Sequence, residues 1–446
     1  MKISIPPLIL EEYEGFTNDN DLFGYKLFAE KFTNLIKQAD ESLVIGLTGG
    51  WGTGKTTFVK MWRGMLRNEF KTKSIYFDAF QSDFHSDSFL ALAAELYTLF
   101  DKKSEKEFKK KIKGIAKAIG FAGLEIGLKL FTPGIVDHAA LKSINTDKIV
   151  NAVKDSTEIL ISQKVDLILE ERNIIKSFQD FLRDQTEKKL GEEKLIFIID
   201  ELDRCKPTFA LDLLEKIKHL FSVPKIVFVL VMNQDQMLQI IKSRYGSSDM
   251  SANSYLQKFI NLWVSLPAPK IEHSSQLDQS GRYLEYCLEK MGYEKFRPDD
   301  LDMKIFLKLI RHWNMSFREI EQAVVNFAIL ENITSNNLND VYKVMVIFVS
   351  ILKVKFPDVF SKLLRQRVNF DDFVSMIELA EFRVFTDKVK QEEDPLLVLL
   401  VYSLANEQER KLISQKGEKY YRLNYFEHEN ILINVAGWLN AFSQVY

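Results

Sequence analysis

The residues best suited to chemistry lie in a glycine-rich segment, Gly49 to Thr56, whose sequence is GGWGTGKT. It matches the pattern G-x-x-x-x-G-K-[ST] in full and follows an apolar run that predicts a β-strand. Its glycines permit backbone angles that turn successive N–H groups toward phosphate oxygens, and a helix predicted to begin near Lys55 directs its positive end at the same anion. The segment therefore predicts a site for the phosphates of a nucleoside triphosphate. The residues expected to form it are Gly49, Gly50, Trp51, Gly52, Thr53, Gly54, Lys55, Thr56 and Thr57.

A second candidate group, Asp200 to Arg204, follows another apolar run. Because Mg²⁺ prefers oxygen ligands, Asp200 and the hydroxyl of Thr56 are the predicted magnesium ligands. Glu201 is then placed to orient or deprotonate the attacking water, and Asp203 belongs to the same predicted catalytic cluster. The alternative is that these acids only cap the helix that follows them.

A third candidate, Asn233, follows the apolar run that ends at Val231. Its side chain would hydrogen-bond the attacking water or the γ-phosphate. An Asn after a strand is also a common turn former, so both interpretations stay open.

A cation is expected to offset the charge that develops on the γ-phosphoryl group, supplied by the same subunit or by a neighbouring one. Arg318 is favoured because it opens a predicted helix after the α/β core, and Arg204 is kept beside it as a catalytic candidate. Surface arginines are usually solvated or paired with acids at little net gain, which is the alternative for each. The full set of cations considered is Arg204, Arg244, Lys258 and Arg318.

Apolar runs and helical periodicity divide the chain into a parallel α/β core and helical regions. Between about 101 and 190 the pattern changes to long helices, which indicates an insertion, and helical spacing continues from about 277 onward. The strands are predicted at Leu43–Thr48, Ser74–Asp78, Leu195–Ile199, Ile226–Val231 and Leu262–Leu266. The predicted regions are 1–100 as the first part of the core, 101–190 as a helical insertion, 191–270 as the remainder of the core, 271–365 as a helical lid-like region and 366–446 as a C-terminal helical region.

Composition sets broad limits on function. The chain has 446 residues, of which 46% are hydrophobic, and a formal net charge of −2, so we expect two or three domains and no overall basic field that would attract nucleic acid or an anionic membrane. Cys205 and Cys287 lack metal-ligand spacing, and no secretory segment opens the sequence. These features favour a reduced, cytoplasmic location with both cysteines as ordinary buried or half-buried thiols.

Two parts of the insertion are candidate contact surfaces. The lysine-rich stretch from Lys102 to Lys113 would either bind nucleic acid or form a solvated helix face. The segment 112–136 is apolar, but charges recur along one helical stripe, which favours an amphipathic helix that covers protein over a bilayer span. The charges that interrupt it are Lys113, Lys117, Glu125 and Lys129.

Together these motifs resemble the KAP family of P-loop NTPases, which includes membrane-associated animal proteins and bacterial phage-exclusion factors. Residues 49–56 are similar to that family's glycine-tryptophan-glycine form of Walker A, and residues 200–205, DELDRC, to its Walker B, normally DDLDRC. The resemblance covers roughly residues 20–365 and implies an α/β fold with a P-loop NTPase parallel sheet of the additional-strand (ASCE, AAA-like) type, a large helical insertion between Walker A and Walker B and a helical C-terminal region. Further matching segments are Asp21–Gly24, Tyr255–Ile260, Leu266–Pro267, Ser316–Ile320 and Leu352–Pro357.

Three departures from the family pattern bear on function. Glu201 replaces the usual second aspartate, keeps a carboxylate and suits hydrolysis. Asn233 stands where the family often has aspartate, which puts its predicted role in doubt. Many relatives carry transmembrane helices between the two Walker motifs, whereas charges interrupt the insertion here, which indicates a soluble branch; the segment 112–136 would be a membrane-derived remnant or a partner surface.

The predicted function is Mg²⁺-dependent hydrolysis of ATP. Residues 233–236 lack the lysine and the final aspartate of the guanine-reading Asn/Thr-Lys-x-Asp motif, so ATP is favoured over GTP. Arginines that would act across a subunit interface favour a homo-oligomeric switch or assembly factor, and the resemblance implies a protein partner or effector in antiviral defence. Two alternatives remain: a nucleotide-gated module that recruits a protein or nucleic acid, and a membrane-associated ATPase.

Overall fold

A computed structural model provides the three-dimensional structure of the chain. Trp51 and most of the segment 112–136 lie outside the residues it describes, as do the predictions made for them. The described residues are 2–6, 13–39, 41–50, 52–84, 87–98, 102–118, 156–246, 249–267, 278–293, 300–334, 340–365, 368, 370–379 and 431–441.

Five parallel strands form one sheet, in the order β2-β3-β4-β1-β5. Strand β4 lies between β1, which leads into the glycine-rich loop, and β3, which ends at Asp200. This is the additional-strand arrangement expected from the resemblance. The strands are β1 (Leu43–Thr48), β2 (Lys73–Asp78), β3 (Leu195–Asp200), β4 (Ile226–Met232) and β5 (Leu262–Ser265), the last one residue shorter than predicted.

The apolar sequence of the central strands follows from their position. Every residue of β3 and of β4 is buried, because helices cover both faces of the sheet. Alternate residues of one strand enter different cores: Phe197 packs on one side, while Ile196 and Ile198 pack on the other with Trp62. The sheet therefore fixes the positions of its carboxyl ends from both sides.

Helices cover the sheet and make up the described parts of the insertion and of the C-terminal region. The helix that follows the acids at 200–204 is α7 (Pro207–Lys216), which continues into a π-helical turn, Ile217–Phe221. The helices are α1 (Lys26–Lys37), α2 (Lys55–Asn68), α3 (Ala79–Ser82), α4 (Ser88–Tyr97), α5 (Lys102–Ala118), α6 (Ser156–Leu190), α7 (Pro207–Lys216), α8 (Gln234–Tyr245), α9 (Asp249–Leu256), α10 (Gln279–Lys290), α11 (Leu301–His312), α12 (Phe317–Ile333), α13 (Asp340–Lys355), α14 (Pro357–Leu364), α15 (Phe370–Met376) and α16 (Ile431–Ala441).

The described part of the insertion is helical, as expected. Helix α5 packs against α6 through Phe108 and Phe178, whose ring centroids lie 6.1 Å apart. Both rings are fully buried in the same core as the strand residue Phe197. Within the part of the chain that the structure describes, no helix is both long enough and apolar enough to cross a membrane.

A separate hydrophobic core joins helices α10 to α16. It contains large buried side chains such as Phe306, Phe327 and Phe348. Helix α12 belongs to this core, and its first residues also contact the glycine-rich loop. The C-terminal helices and the sheet therefore meet at one end of α12.

Candidate nucleotide-binding site

The glycine-rich loop joins β1 to α2 through two residues in left-handed backbone conformation. Gly52 has φ of 73° and Gly54 has φ of 84°, angles that side chains disfavour. Gly54 is the N-cap residue of α2 and provides no side-chain hydrogen bond to the first turn. The amide groups of that turn are therefore available to an anion, which the helix dipole also favours.

The start of α12 packs directly on this loop. A Cβ atom at Gly52 would lie 2.8 Å from the Cβ atom of Arg318 and 3.1 Å from its backbone nitrogen. Ser316 caps the helix in a capping box with Glu319, and Lys355 of α13 pairs with the Glu319 carboxylate at 3.1 Å. This network fixes the helix end that carries Arg318, the cation favoured from the sequence.

Lys55 already lies over the loop that it is expected to serve. Its ammonium group donates hydrogen bonds to the carbonyl oxygens of Gly49 and Gly50, at 2.7 and 2.8 Å. Burial lowers the pKa of Lys55, whereas the carboxylates of Asp203 and Asp200 oppose that shift. When a nucleotide binds, phosphate oxygens would replace these two carbonyl oxygens as hydrogen-bond acceptors of the ammonium group.

Asp200, at the end of β3, is 1% exposed and held by several hydrogen bonds. The Tyr76 hydroxyl donates to its Oδ2 atom at 3.0 Å, and the backbone N–H of Glu201 donates to Oδ1 at 2.8 Å. Burial raises the pKa of Asp200, while these bonds and one from the Thr56 hydroxyl act in the opposite direction. A carboxylate beside a threonine hydroxyl supplies the hard oxygen donors that Mg²⁺ prefers, so the predicted ligands fit this ion.

Glu201 and Arg204 form an ion pair beside Asp200. The Nη1 atom of Arg204 lies 2.8 Å from Oε1 of Glu201, across the short 3₁₀ turn Leu202–Arg204. Glu201 adopts a left-handed backbone conformation, with φ of 58°. Burial raises the pKa of Glu201, and Arg204 opposes that shift.

These groups line a single cavity of about 580 Å³. Its charged end contains the loop, the acids that follow β3 and two arginines, and its other end is formed by aromatic residues and by the turn before α1. The predicted residues that line it are Gly52, Thr53, Gly54, Lys55, Thr56, Thr57, Asp200, Glu201, Asp203, Arg204 and Arg318. Gly49 and Gly50 reach the site through their bonds to Lys55.

Asn233 takes another part in the structure. It follows β4, and its Oδ1 atom accepts hydrogen bonds from the backbone N–H groups of Asp235 and Gln236, which caps α8. Asn233 is not among the described residues that line the cavity. The observed contacts are those of the turn-forming alternative, and the catalytic role of Asn233 stays a prediction.

Two of the four candidate cations lie away from the cavity. Arg244 is exposed in the last turn of α8, and Lys258 lies over the ring of Tyr255 at 5.8 Å from its centroid. Arg204 and Arg318 are the members of the set that line the cavity. Cys205 and Cys287 are free, buried thiols, and burial raises the pKa of each.

Sequence reasoning missed the aromatic end of the cavity. The rings of Phe23 and Phe317 stack at 4.5 Å with an interplanar angle of 11°, and Tyr283 of α10 packs on Phe317 at 4.6 Å. Tyr286, one turn later on α10, lines the same end. A resemblance at 21–24 marked the turn that carries Phe23 but not its role, and Tyr283 and Tyr286 have the spacing of ordinary core residues.

One comparison with known proteins, a family model, agrees with this geometry. The model of the KAP family P-loop domain matches residues 25–334. No curated protein matches the chain. Two solved structures of the Aeropyrum pernix ORC2 protein, one of its ADPNP-ADP complexes and one of its ADP form, each match at 12% identity and a TM-score of 0.33. The matches cover 94% and 92% of this chain and 95% and 93% of those chains, and at this TM-score they carry no argument about fold or function.

The family match contains both segments on which the site depends, the loop that ends at Thr56 and the acids that follow β3. It also contains Arg318, at the start of α12. The parallel sheet with its additional strand and the convergence of these residues on one cavity are the structure that nucleotide binding by such a domain requires. The chain is a nucleotide-binding protein that belongs to the KAP family of P-loop NTPases.

Proposed function

We propose that this protein is a Mg²⁺-dependent ATPase. The observation that carries the proposal is the convergence of Lys55, Asp200, Glu201 and Arg318 on one cavity of about 580 Å³. A phosphate-binding loop alone accounts for binding. The carboxylates at the end of β3 and the arginine at the start of α12 add the groups that hydrolysis requires.

Each residue has a distinct part in the proposed reaction. Lys55 and the amide groups of α2 hold the phosphates, and Thr56 and Asp200 hold magnesium, which when bound offsets charge on the β- and γ-phosphates. Glu201 orients the attacking water and accepts its proton. Arg318 offsets the charge that develops on the γ-phosphoryl group, since in the described part of the chain it forms no ion pair, whereas Arg204 is paired with Glu201.

The aromatic end of the cavity would take the base of the nucleotide. Its stacked rings offer an apolar surface for a purine, and the chain lacks the guanine-reading motif at residues 233–236. We therefore propose ATP rather than GTP as the substrate.

The contact between Gly52 and Arg318 supports a switch function. It joins the phosphate loop to a helix whose other residues belong to the C-terminal helical core. Occupancy of the loop would thus alter the position of that core. Homo-oligomerisation, a protein effector partner and a cytoplasmic location are part of this proposal, and antiviral defence is added on the family resemblance alone.

Turnover of ATP by a Lys55→Ala variant tests the proposal. We expect loss of both tight ATP binding and hydrolysis, measured by nucleotide fluorescence titration and phosphate release. Lys60→Ala is the matched control, because Lys60 is exposed on the same helix and should leave both unchanged. Hydrolysis by Lys55→Ala at the parent rate would contradict the proposal.

A second candidate function is recruitment of nucleic acid by α5. Lys109 pairs with Glu105, and Lys111 donates a hydrogen bond to Ser177. Among the α5 lysines whose side chains the structure describes, the exposed ones are Lys106, Lys110 and Lys113. Salt-dependent DNA or RNA binding that is lost when these three are changed to Glu would support recruitment, and its absence in the parent protein would remove this candidate.

A further inference from the structure

A residue outside every motif, Tyr76, contacts the proposed magnesium site. It lies in the middle of β2, in register with Ile198, two residues before the end of the neighbouring strand β3. From there its hydroxyl reaches Oδ2 of Asp200, at 3.0 Å. Tyr76 is not one of the described residues that line the cavity, so it acts on the site only through Asp200.

The bonds to Asp200 leave its carboxylate little freedom. Oδ1 accepts from the backbone N–H of Glu201, and Oδ2 accepts from Tyr76. At 1% exposure, Asp200 has little access to water that would replace either bond. The Glu201 bond comes from the backbone, so the hydroxyl of Tyr76 and that of Thr56 are the side-chain groups that hold this carboxylate.

The ring of Tyr76 is itself held in place. The guanidinium carbon of Arg63, on α2, lies 5.2 Å from the centroid of the Tyr76 ring and 5.1 Å from that of Tyr13. Arg63 also donates a hydrogen bond to the Tyr13 hydroxyl, at 3.3 Å. Cation–π packing on this face restricts the ring, and therefore restricts the direction of its hydroxyl.

We infer that Tyr76 is a positioning residue, whose hydroxyl orients the carboxylate of Asp200 for magnesium. The inference rests on the proposed function only in that Asp200 holds the ion. Groups that hydrogen-bond a metal ligand fix its orientation and tune its affinity, even though they do not touch the ion. A buried tyrosine hydroxyl that merely satisfies its own hydrogen bond would leave the affinity for Mg²⁺ unchanged.

The test is a titration of Mg²⁺ into the full-length protein with a fluorescent ADP analogue, so that binding rather than turnover is measured. Tyr76→Phe removes the hydroxyl and keeps the ring over Arg63. We expect the Mg²⁺ concentration at half-maximal binding to rise about tenfold or more, while binding of the analogue in EDTA stays that of the parent. Tyr255→Phe is the matched control, because it also removes a tyrosine hydroxyl that donates to a carboxylate, that of Glu215, away from the cavity.

A second variant, Arg63→Met, tests the same inference if Tyr76→Phe does not fold. Arg63→Met removes the cation that packs on the ring but keeps the hydroxyl, and we expect a smaller rise in the same direction. An unchanged Mg²⁺ requirement in Tyr76→Phe would overturn the inference, as would equal weakening of binding with and without Mg²⁺. If parent and Asp200→Asn proteins both bind the analogue without regard to Mg²⁺, the magnesium assignment of the proposed function fails instead.

Discussion

The two ends of the nucleotide cavity are built in different ways. At the charged end, Asp200 is the last residue of β3 and Lys55 begins the helix after β1, and both strands are packed from both sides of the sheet. At the aromatic end, Phe23, Tyr283 and Phe317 come from three separate segments and hold one another by ring contacts. The first end depends on the backbone of the sheet, and the second depends on side chains that meet across the fold.

This difference separates the expected effects of substitutions. Changes at the charged end should lower the rate of the chemical step, because the groups there face the reacting phosphate. Changes at the aromatic end should alter nucleotide affinity and leave the chemical step intact. Three kinetic measurements test this division and one measurement of stability tests the helix start that joins the two ends, in order of decreasing expected effect.

The largest effect is expected for Glu201→Gln. Loss of the group that accepts the proton of water should lower kcat about a thousandfold while nucleotide affinity is kept. Phosphate release and fluorescence titration measure the two quantities separately. Glu192→Gln, in an exposed turn before β3, is the control. A fall in affinity that matches the fall in kcat would mean that Glu201 binds nucleotide rather than water.

A smaller loss, about a hundredfold in kcat, is expected for Arg318→Met. Arg365→Met is the control, because Arg365 is exposed at the end of α14. Since Arg318 lines the cavity of its own chain, mixing Arg318→Met protein with Lys55→Ala protein should restore no activity. Recovery in the mixture would instead place Arg318 in a neighbouring subunit's site.

At the aromatic end, Phe23→Leu should raise KM for ATP up to about tenfold with kcat little changed, because it removes one stacked ring. Phe70→Leu is the control, since Phe70 packs against the core of the sheet and does not line the cavity. Steady-state kinetics give both constants. A large fall in kcat would show that the two ends do not act separately.

The smallest effect concerns the stability of the start of α12, the helix that carries Phe317 at the aromatic end of the cavity and Arg318 at the charged end. Burial acts to raise the pKa of Glu319, but hydrogen bonds from Ser316 and Lys355 outweigh it, so the folded-state pKa is lowered. The resulting stabilisation is complete above the unfolded-state pKa, about 4.3, and is lost as pH falls through the lower folded-state value.

Glu319→Gln keeps the shape of the cap and removes the charge that pairs with Lys355. We expect a loss of about 0.5 kcal/mol in the free energy of unfolding at neutral pH, and no loss in acid. Thermal unfolding across this pH range measures it. Lys355→Met should give a similar loss, and an equal effect of Glu319→Gln at both pH extremes would contradict the assigned cause.

The strands that carry the charged end were predicted from the sequence because their signals are local. An apolar run followed by glycines or acids specifies both a strand and the chemistry at its tip, and β1 and β3 lie where those runs predict. The helix that begins beside Arg318 was predicted for the same reason.

What the sequence did not predict depends on contacts between distant residues. The bond from Tyr76 to Asp200 requires the register of β2 on β3, and the stack of Phe23 on Phe317 requires the packing of the C-terminal helices on the turn before α1. The ion pair of Glu201 with Arg204 is local in sequence, but Glu201 forms it from a left-handed backbone conformation. That conformation is uncommon for a residue other than glycine, so the sequence did not predict it.

The missing side chain at Gly52 has a consequence for how the sequence of this protein can change. With only a hydrogen atom at this position, the start of α12 approaches the phosphate loop so closely that a Cβ atom at 52 would lie 2.8 Å from the Cβ atom of Arg318. A larger residue at 52 would require the start of α12 to move away from the loop, and it would also be strained by the left-handed backbone conformation at 52. The phosphate loop and the start of α12 are far apart in the gene, but their close contact constrains them to vary together, although each has a different part in the proposed reaction.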